Sequence, residues 1–157
     1  MKYGESAFDI VYLLFAIVIG IGILRGRKDR IGALMGSAAL ILGVGDAFHL
    51  IPRVINYFGS GDYTAYLGFG KLVTSITMTV FYLLMYRLWL RVYEEKEDRK
   101  LTITIYILAA VRVLLCLLPQ NGWLRNDGSV LWGVLRNIPF VALGEIGRAS
   151  CRERVFV

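Results

Sequence analysis

The sequence predicts an all-α polytopic transmembrane helix bundle. Three observations carry that prediction. Apolar residue types make up 57% of the 157 residues, above the roughly 45–50% of an ordinary soluble domain. Mean hydropathy is +0.59 although the formal net charge is +6. The apolar residues gather in long runs separated by short charged knots, the arrangement of a chain that crosses a bilayer repeatedly. The same figures exclude two classes. A chain this apolar does not stay solvated as a disordered polymer, and two cysteines in 157 residues do not make a disulfide scaffold.

The first apolar segment covers about residues 7–24, with Ile-Val-Tyr-Leu-Leu-Phe-Ala-Ile-Val-Ile at its heart. It has no basic leader beyond Lys2, and a basic knot rather than a small-residue cleavage site follows, so it reads as a retained helix and not a signal peptide. The second segment covers 31–51, the third 69–90 and the fourth 101–118. Each of these four is about 18–22 residues long, enough to cross a hydrocarbon core of roughly 30 Å. Backbone polar groups in lipid must be satisfied within the segment, so each is helical. The fifth segment, 129–144, is too short for a full crossing and reads as a helix truncated part-way.

Residues 145–157 read differently. The stretch Glu145-Ile146-Gly147-Arg148-Ala149-Ser150-Cys151-Arg152-Glu153-Arg154-Val155 resembles the translation of a sequencing-adapter read-through, with codons beginning GAG ATC GGA AGA GCG. That resemblance implies a transmembrane domain at 1–144 and a non-native tail at 145–157, excluded from fold reasoning. Before residue 145 there are 15 Lys and Arg and 10 Asp and Glu, a net charge of +5, and one cysteine, Cys116, inside an apolar run. The complete protein is then expected to have six to eight spans.

Orientation follows from the short loops. Arg25, Arg27, Lys28 and Arg30 crowd the first loop, and Arg91, Lys96, Arg99 and Lys100 the third. The second and fourth loops offer only Arg53 with Lys71 at the margin, and Arg125. The odd loops are therefore expected in the cytoplasm and the N-terminus outside, in an inner membrane of bacterial type. Trp89 and Tyr93 fall at the inner boundary, and Tyr57, Tyr63, Tyr66 and Trp123 at the outer one, where amphipathic rings favour the headgroup level. The positive charge is thus a topology signal. No basic stripe on a soluble face points to nucleic acid, and the expected partners are membrane lipids. The run Glu94–Lys100, with alternating signs, is a solvated turn.

Ionisable groups inside spans are expensive and mark functional sites by default. Counting 1.5 Å per residue from the outer helix ends, Asp46 lies about 8 Å deep, Arg112 about 10 Å, and Arg136 with Asn137 about 10–12 Å. His49 sits one turn above Asp46, and Ser75 and Thr77 fall in the same slab. Gly32, Gly36 and Gly43 share one face of the second helix within about 40°, and small residues at this spacing admit a close neighbour. Asp46, His49 and Arg53 continue that stripe. Pro52 removes a donor and frees the Phe48 carbonyl.

The candidate catalytic residues are Asp46 and His49, with His49 as base, Asp46 orienting it, and Ser75 or water as nucleophile. The candidate binding residues are Arg53, Ser75, Arg112, Arg136 and Asn137, because surplus guanidinium groups suit a phosphate or carboxylate headgroup. The expected function is to bind or hydrolyse an anionic lipid or amphiphile in the outer half of the bilayer. Two other readings stay open: a non-enzymatic transporter or sensor with a switchable Asp46–Arg112 pair, and a structural bundle in which Asp46 with Arg112 or Arg136 only fixes packing. No cofactor is expected. One histidine and no cysteine cluster cannot make a His-rich zinc site; Asp46 and His49, at i and i+3, supply half of one at most. Gly68-Phe69-Gly70-Lys71 is not a phosphate-binding loop, since Ala65 and Leu72 stand where a glycine and a Ser/Thr are needed.

Gly45-Asp46-Ala47-Phe48-His49-Leu50-Ile51-Pro52-Arg53 resembles a signature of bacterial multi-spanning membrane proteins to which no activity is attached. Gly45 and Asp46, with the helical layout, are also similar to the lysoplasmalogenase-like (YhhN-type) membrane hydrolases, which carry a Gly-Asp in an early helix. That resemblance spans about a third of the chain and implies one thing here, an acidic site residue at Asp46.

Overall fold

The computed structural model describes residues 2–125 and 128–152. Its regular elements are α1 (Lys2–Gly26), α2 (Arg30–Phe58), α3 (Thr64–Val92), α4 (Arg99–Leu117), a 3₁₀ turn (Pro119–Asn121) and α5 (Val130–Arg152). All five α-helices are long and apolar enough to cross a membrane, so the all-α bundle of the sequence analysis stands. No strand occurs among the described residues.

The helices outrun the apolar segments because their polar ends continue the same backbone ladder. At one end α1 begins at Lys2 and α2 runs on to Phe58. α5 runs through residue 144, with an apolar stretch of 18 residues at Val130–Gly147; residues 153–155 of the adapter-like stretch lie outside the described residues. Beyond α2, the Asp62 carboxylate accepts from the Thr64 N–H at 2.9 Å, at the start of α3. The Thr64 hydroxyl and this N–H hold the Asp62 carboxyl below the usual carboxylate range.

Successive helices run antiparallel, as the cross-contacts show. α1 and α2 meet through small residues: a Cβ on Gly36 would fall 3.0 Å from the Gly20 carbonyl and 2.6 Å from the Leu24 side chain, and one on Gly43 would meet Ala16 and Ile17. The glycine face read from the sequence is therefore the α1 contact. α2 and α3 approach closer still. The Thr74 hydroxyl donates to the Gly45 carbonyl at 3.0 Å. A Cβ on Gly70 would stand 2.1 Å from the Phe48 carbonyl, the acceptor that Pro52 leaves free. Only a glycine lets the two backbones meet there.

The apolar core joins α3, α4 and α5: Ile105, Ala109 and Leu143 are buried, with Leu83 and Tyr86 packed on them. By contrast, Phe8, Val11, Leu14, Phe15 and Val18 of α1 are exposed. An apolar surface that continuous belongs against lipid.

Candidate functional site

Polar side chains gather at two places, one on either side of α3. The first lies between α1 and α2. There the Tyr57 hydroxyl donates to Glu5 at 2.8 Å, Arg53 pairs with Asp9 at 2.5 Å, and the Tyr12 hydroxyl donates to Asp46 at 2.8 Å. Asp9 is 4% exposed. Glu5 and Asp9 lie at the edge of the first apolar run and were not among the expected site residues. The signal that finds them is helical spacing: Glu5, Asp9 and Tyr12 fall on one stripe of α1, three and four residues apart.

The second place is built by α4, α5 and the turn between them. Asn121, 2% exposed, donates through its amide to the carbonyls of Leu115 and Leu118 at 2.7 and 2.9 Å. It thereby closes the C-terminus of α4, whose last carbonyls lack helical partners. Its carbonyl accepts from Arg136 Nη1 at 2.9 Å. The Trp123 indole donates to the Cys116 carbonyl at 2.8 Å, and the Arg136 guanidinium lies 4.2 Å from the centroid of that indole. The turn can sit so close because residue 68 is glycine; a Cβ there would strike the Trp123 carbonyl at 1.4 Å.

Arg112 is the centre of this group. It is 4% exposed, and its guanidinium lies 3.6 Å from the Phe140 ring centroid. Tyr82, Cys116 and Arg136 are its electrostatic neighbours. Its Nε and Nη1 atoms are buried and meet no acceptor. The contacts given for Arg112 and Arg136 are with aromatic rings, with Asn121 and with Cys116, whereas Arg27, Arg53 and Arg87 pair with carboxylates. Ring faces compensate part of a buried cation's cost, and the remaining N–H donors still require acceptors.

Several expected placements are corrected by this geometry. Asp46 pairs with neither Arg112 nor Arg136; its partner is Tyr12. Adjacent residues of α3 reach both groups: Thr74 bonds Gly45, and Ser75 reaches the Cys116 thiol. Depth, however, carries no azimuth, and α3 stands between them. Asp46 does not orient His49 either. The His49 Nδ1 atom is buried without a partner, and its ring is directed to the Leu67 carbonyl. The Ser75 hydroxyl donates to the Lys71 carbonyl of its own helix at 2.7 Å, away from His49. Arg53 is committed to Asp9. Asn137 is exposed and donates to the Gly133 carbonyl one turn earlier. The expected seven therefore divide: Asp46, His49 and Arg53 on the α2 side, Ser75, Arg112 and Arg136 around Cys116, and Asn137 apart.

Among the described residues no three His, Cys, Asp or Glu side chains are placed to hold a metal ion. Comparison of the chain with protein-family profiles, curated proteins and solved structures gave no match.

Proposed function

We propose that this chain is a multi-pass inner-membrane protein, N-terminus outside, that binds an anionic amphiphile through Arg112 and Arg136 in the outer half of the bilayer. The observation that carries the reading is Arg112, buried within an apolar helix with two nitrogens unanswered and a second guanidinium as neighbour. Two neighbouring guanidinium groups attract a carboxylate or phosphate group, and their donors match such groups in pairs. Phe140 and Trp123 each place a ring against one guanidinium and restrict its movement.

Binding is favoured over hydrolysis. The Asp46–His49 dyad that hydrolysis needs is not joined by a hydrogen bond, and the Ser75 hydroxyl faces its own helix. A switchable Asp46–Arg112 pair has no support either, because the two residues have different partners.

Native mass spectrometry on protein extracted with lipid tests the reading. The wild type is expected to retain phosphatidylglycerol in preference to phosphatidylcholine, and Arg112→Gln to lose that preference by about tenfold, the worth of one charge-assisted contact. Free phosphate or a fatty acid, added in place of lipid, separates a headgroup site from a small-anion site. Identical lipid retention by both proteins overturns the proposal.

A further inference from the structure

One face of α5 has no partner in the bundle. Val130, Val134, Asn137 and Val141 fall within about 60° of one another at 3.6 residues per turn, and all four are exposed. The shallow groove on this face is lined by α5 residues alone, so no neighbouring helix closes it. A Cβ on Gly133, at the edge of the groove, would meet nothing within 4 Å. The rest of the helix is engaged: Leu143 packs in the core, and Arg136 bonds Asn121.

Asn137 sets this face apart from an ordinary lipid-facing surface. It lies inside the apolar stretch Val130–Gly147, about 10 Å along the axis from Val130. A primary amide carries two N–H donors and a carbonyl acceptor. One N–H goes to the Gly133 carbonyl at 2.9 Å. Among the described residues nothing answers the other N–H or the carbonyl. Hydrocarbon holds no water to answer them, and an amide left unsatisfied there is costly.

What remains on Asn137, one donor and one acceptor, is complementary to itself. Copies inserted in the same orientation are related by a two-fold axis only along the membrane normal, and that axis brings identical residues to the same depth. A two-fold contact is isologous, the same patch meeting itself. Through this face it sets Asn137 against the partner subunit's Asn137, and each amide donates its free N–H to the other's carbonyl. Asparagine side chains join spanning helices in this way, and a single asparagine in an apolar seam fixes register. The three valines, at spacings of three and four residues around it, pack as such a seam. Gly133 admits the second helix closely. Acyl chains can cover the valines, but they cannot answer the amide.

We propose that the chain forms a two-fold homodimer through this face of α5, joined at its centre by a reciprocal Asn137–Asn137 hydrogen-bonded pair. The contact leaves Arg112 and Arg136 to their own side of the helix.

Energy transfer between donor-labelled and acceptor-labelled copies of the full chain tests this in phosphatidylcholine vesicles over a range of protein-to-lipid ratios. Transfer is expected to rise with protein density as a monomer–dimer equilibrium. Asn137→Leu is expected to weaken association about tenfold, whereas Asn137→Gln keeps most of it. Gly133→Ile is expected to weaken it at least as much, by holding the two helices apart. Gly22→Ile on α1, where a Cβ also meets nothing within 4 Å, is expected to change nothing. These positions are exposed or open in the single chain, so the substitutions leave its own packing in place. A monomer at every ratio, with lipid covering the face, overturns the proposal, and so does an Asn137→Leu dimer as tight as the wild type. Weakening by Gly22→Ile but not by Gly133→Ile moves the interface to α1 and overturns it equally.

Discussion

The guanidinium of Arg112 lies against the face of Phe140, 3.6 Å from its centroid, with two nitrogens that meet no acceptor. Packing is therefore satisfied at this residue and hydrogen bonding only in part, through the Cys116 thiol, an arrangement that costs stability unless something else answers the remaining donors.

That imbalance gives the first prediction. Arg112→Met keeps the contact with Phe140 and removes the unanswered donors. Its melting temperature in detergent is expected to equal or exceed that of the wild type, by the equivalent of about 1–3 kcal/mol. Thermal stabilisation by added phosphatidylglycerol is expected to vanish in the same variant. Thermal denaturation with and without the lipid measures both.

Asn121 answers carbonyls of the last turn of α4 and also holds Arg136. Asn121→Ala leaves the Leu115 and Leu118 carbonyls with only their backbone donors, at 3.4 and 3.2 Å, and removes the acceptor of Arg136. A loss of about 1–3 kcal/mol is expected, chiefly from the unanswered charged donor. Asn121→Asp is expected to be milder, since it keeps the acceptor for Arg136. Denaturant titration of the two variants side by side checks the order.

The pair Asp9–Arg53 predicts a different pattern. Either single change, Asp9→Asn or Arg53→Gln, leaves a charge in a largely buried position and is expected to cost about 2–4 kcal/mol. Exchanging the two, Asp9→Arg with Arg53→Asp, is expected to recover at least half of that loss. Tyr12→Phe, which removes only a neutral donor, is expected to cost about 0.6–1.5 kcal/mol. Steric-trap or denaturant unfolding in bicelles gives the ranking.

Close approach at Gly70 makes a steric prediction. Gly70→Ala places a methyl group 2.1 Å from the Phe48 carbonyl, and α2 must move away at an expected cost of about 1–3 kcal/mol. Gly22→Ala meets nothing within 4 Å and is expected to be neutral or slightly stabilising, by up to about 1 kcal/mol. Paired melting curves of the two alanine variants decide it.

Acid weakens the start of α3. The Asp62 carboxyl is held below its ordinary range by Thr64, so its contribution is full above the unfolded value, about 3.9, and fades as pH falls through the lower folded value. Hydrogen exchange at the Thr64 and Ala65 amides is expected to lose protection on acidification in that range. Asp62→Ala is expected to show the weaker protection at every pH.

The bundle was legible because lipid imposes a single rule on a spanning segment, and long apolar runs cannot satisfy it except as helices. Helix ends were less so. Pro52–Phe58 and Thr64–Gly68 continue α2 and α3 although their polar residues interrupt the hydropathy pattern. The site was half legible. Depth is linear in residue number, so it is the coordinate of a site that a sequence expresses most directly. Which way a residue faces depends on how helices pack, and nothing in the two segments says that α3 comes between them. Asp9 and Arg53, separated by 44 positions, meet only because α1 and α2 fold back on each other. The glycines that permit this were visible, but the salt bridge they bring together was not.

α3 is the wall shared by the two polar groups, and its hydroxyls turn inward on their own helix. Ser75, Thr77 and Thr79 each donate to a carbonyl one turn earlier. Side-chain donors of this sort compete for the carbonyls of the helical ladder and lower a helix's resistance to bending. A bend in this stretch of α3 would therefore displace the Thr74 contact with Gly45 and the Ser75 contact with Cys116 together.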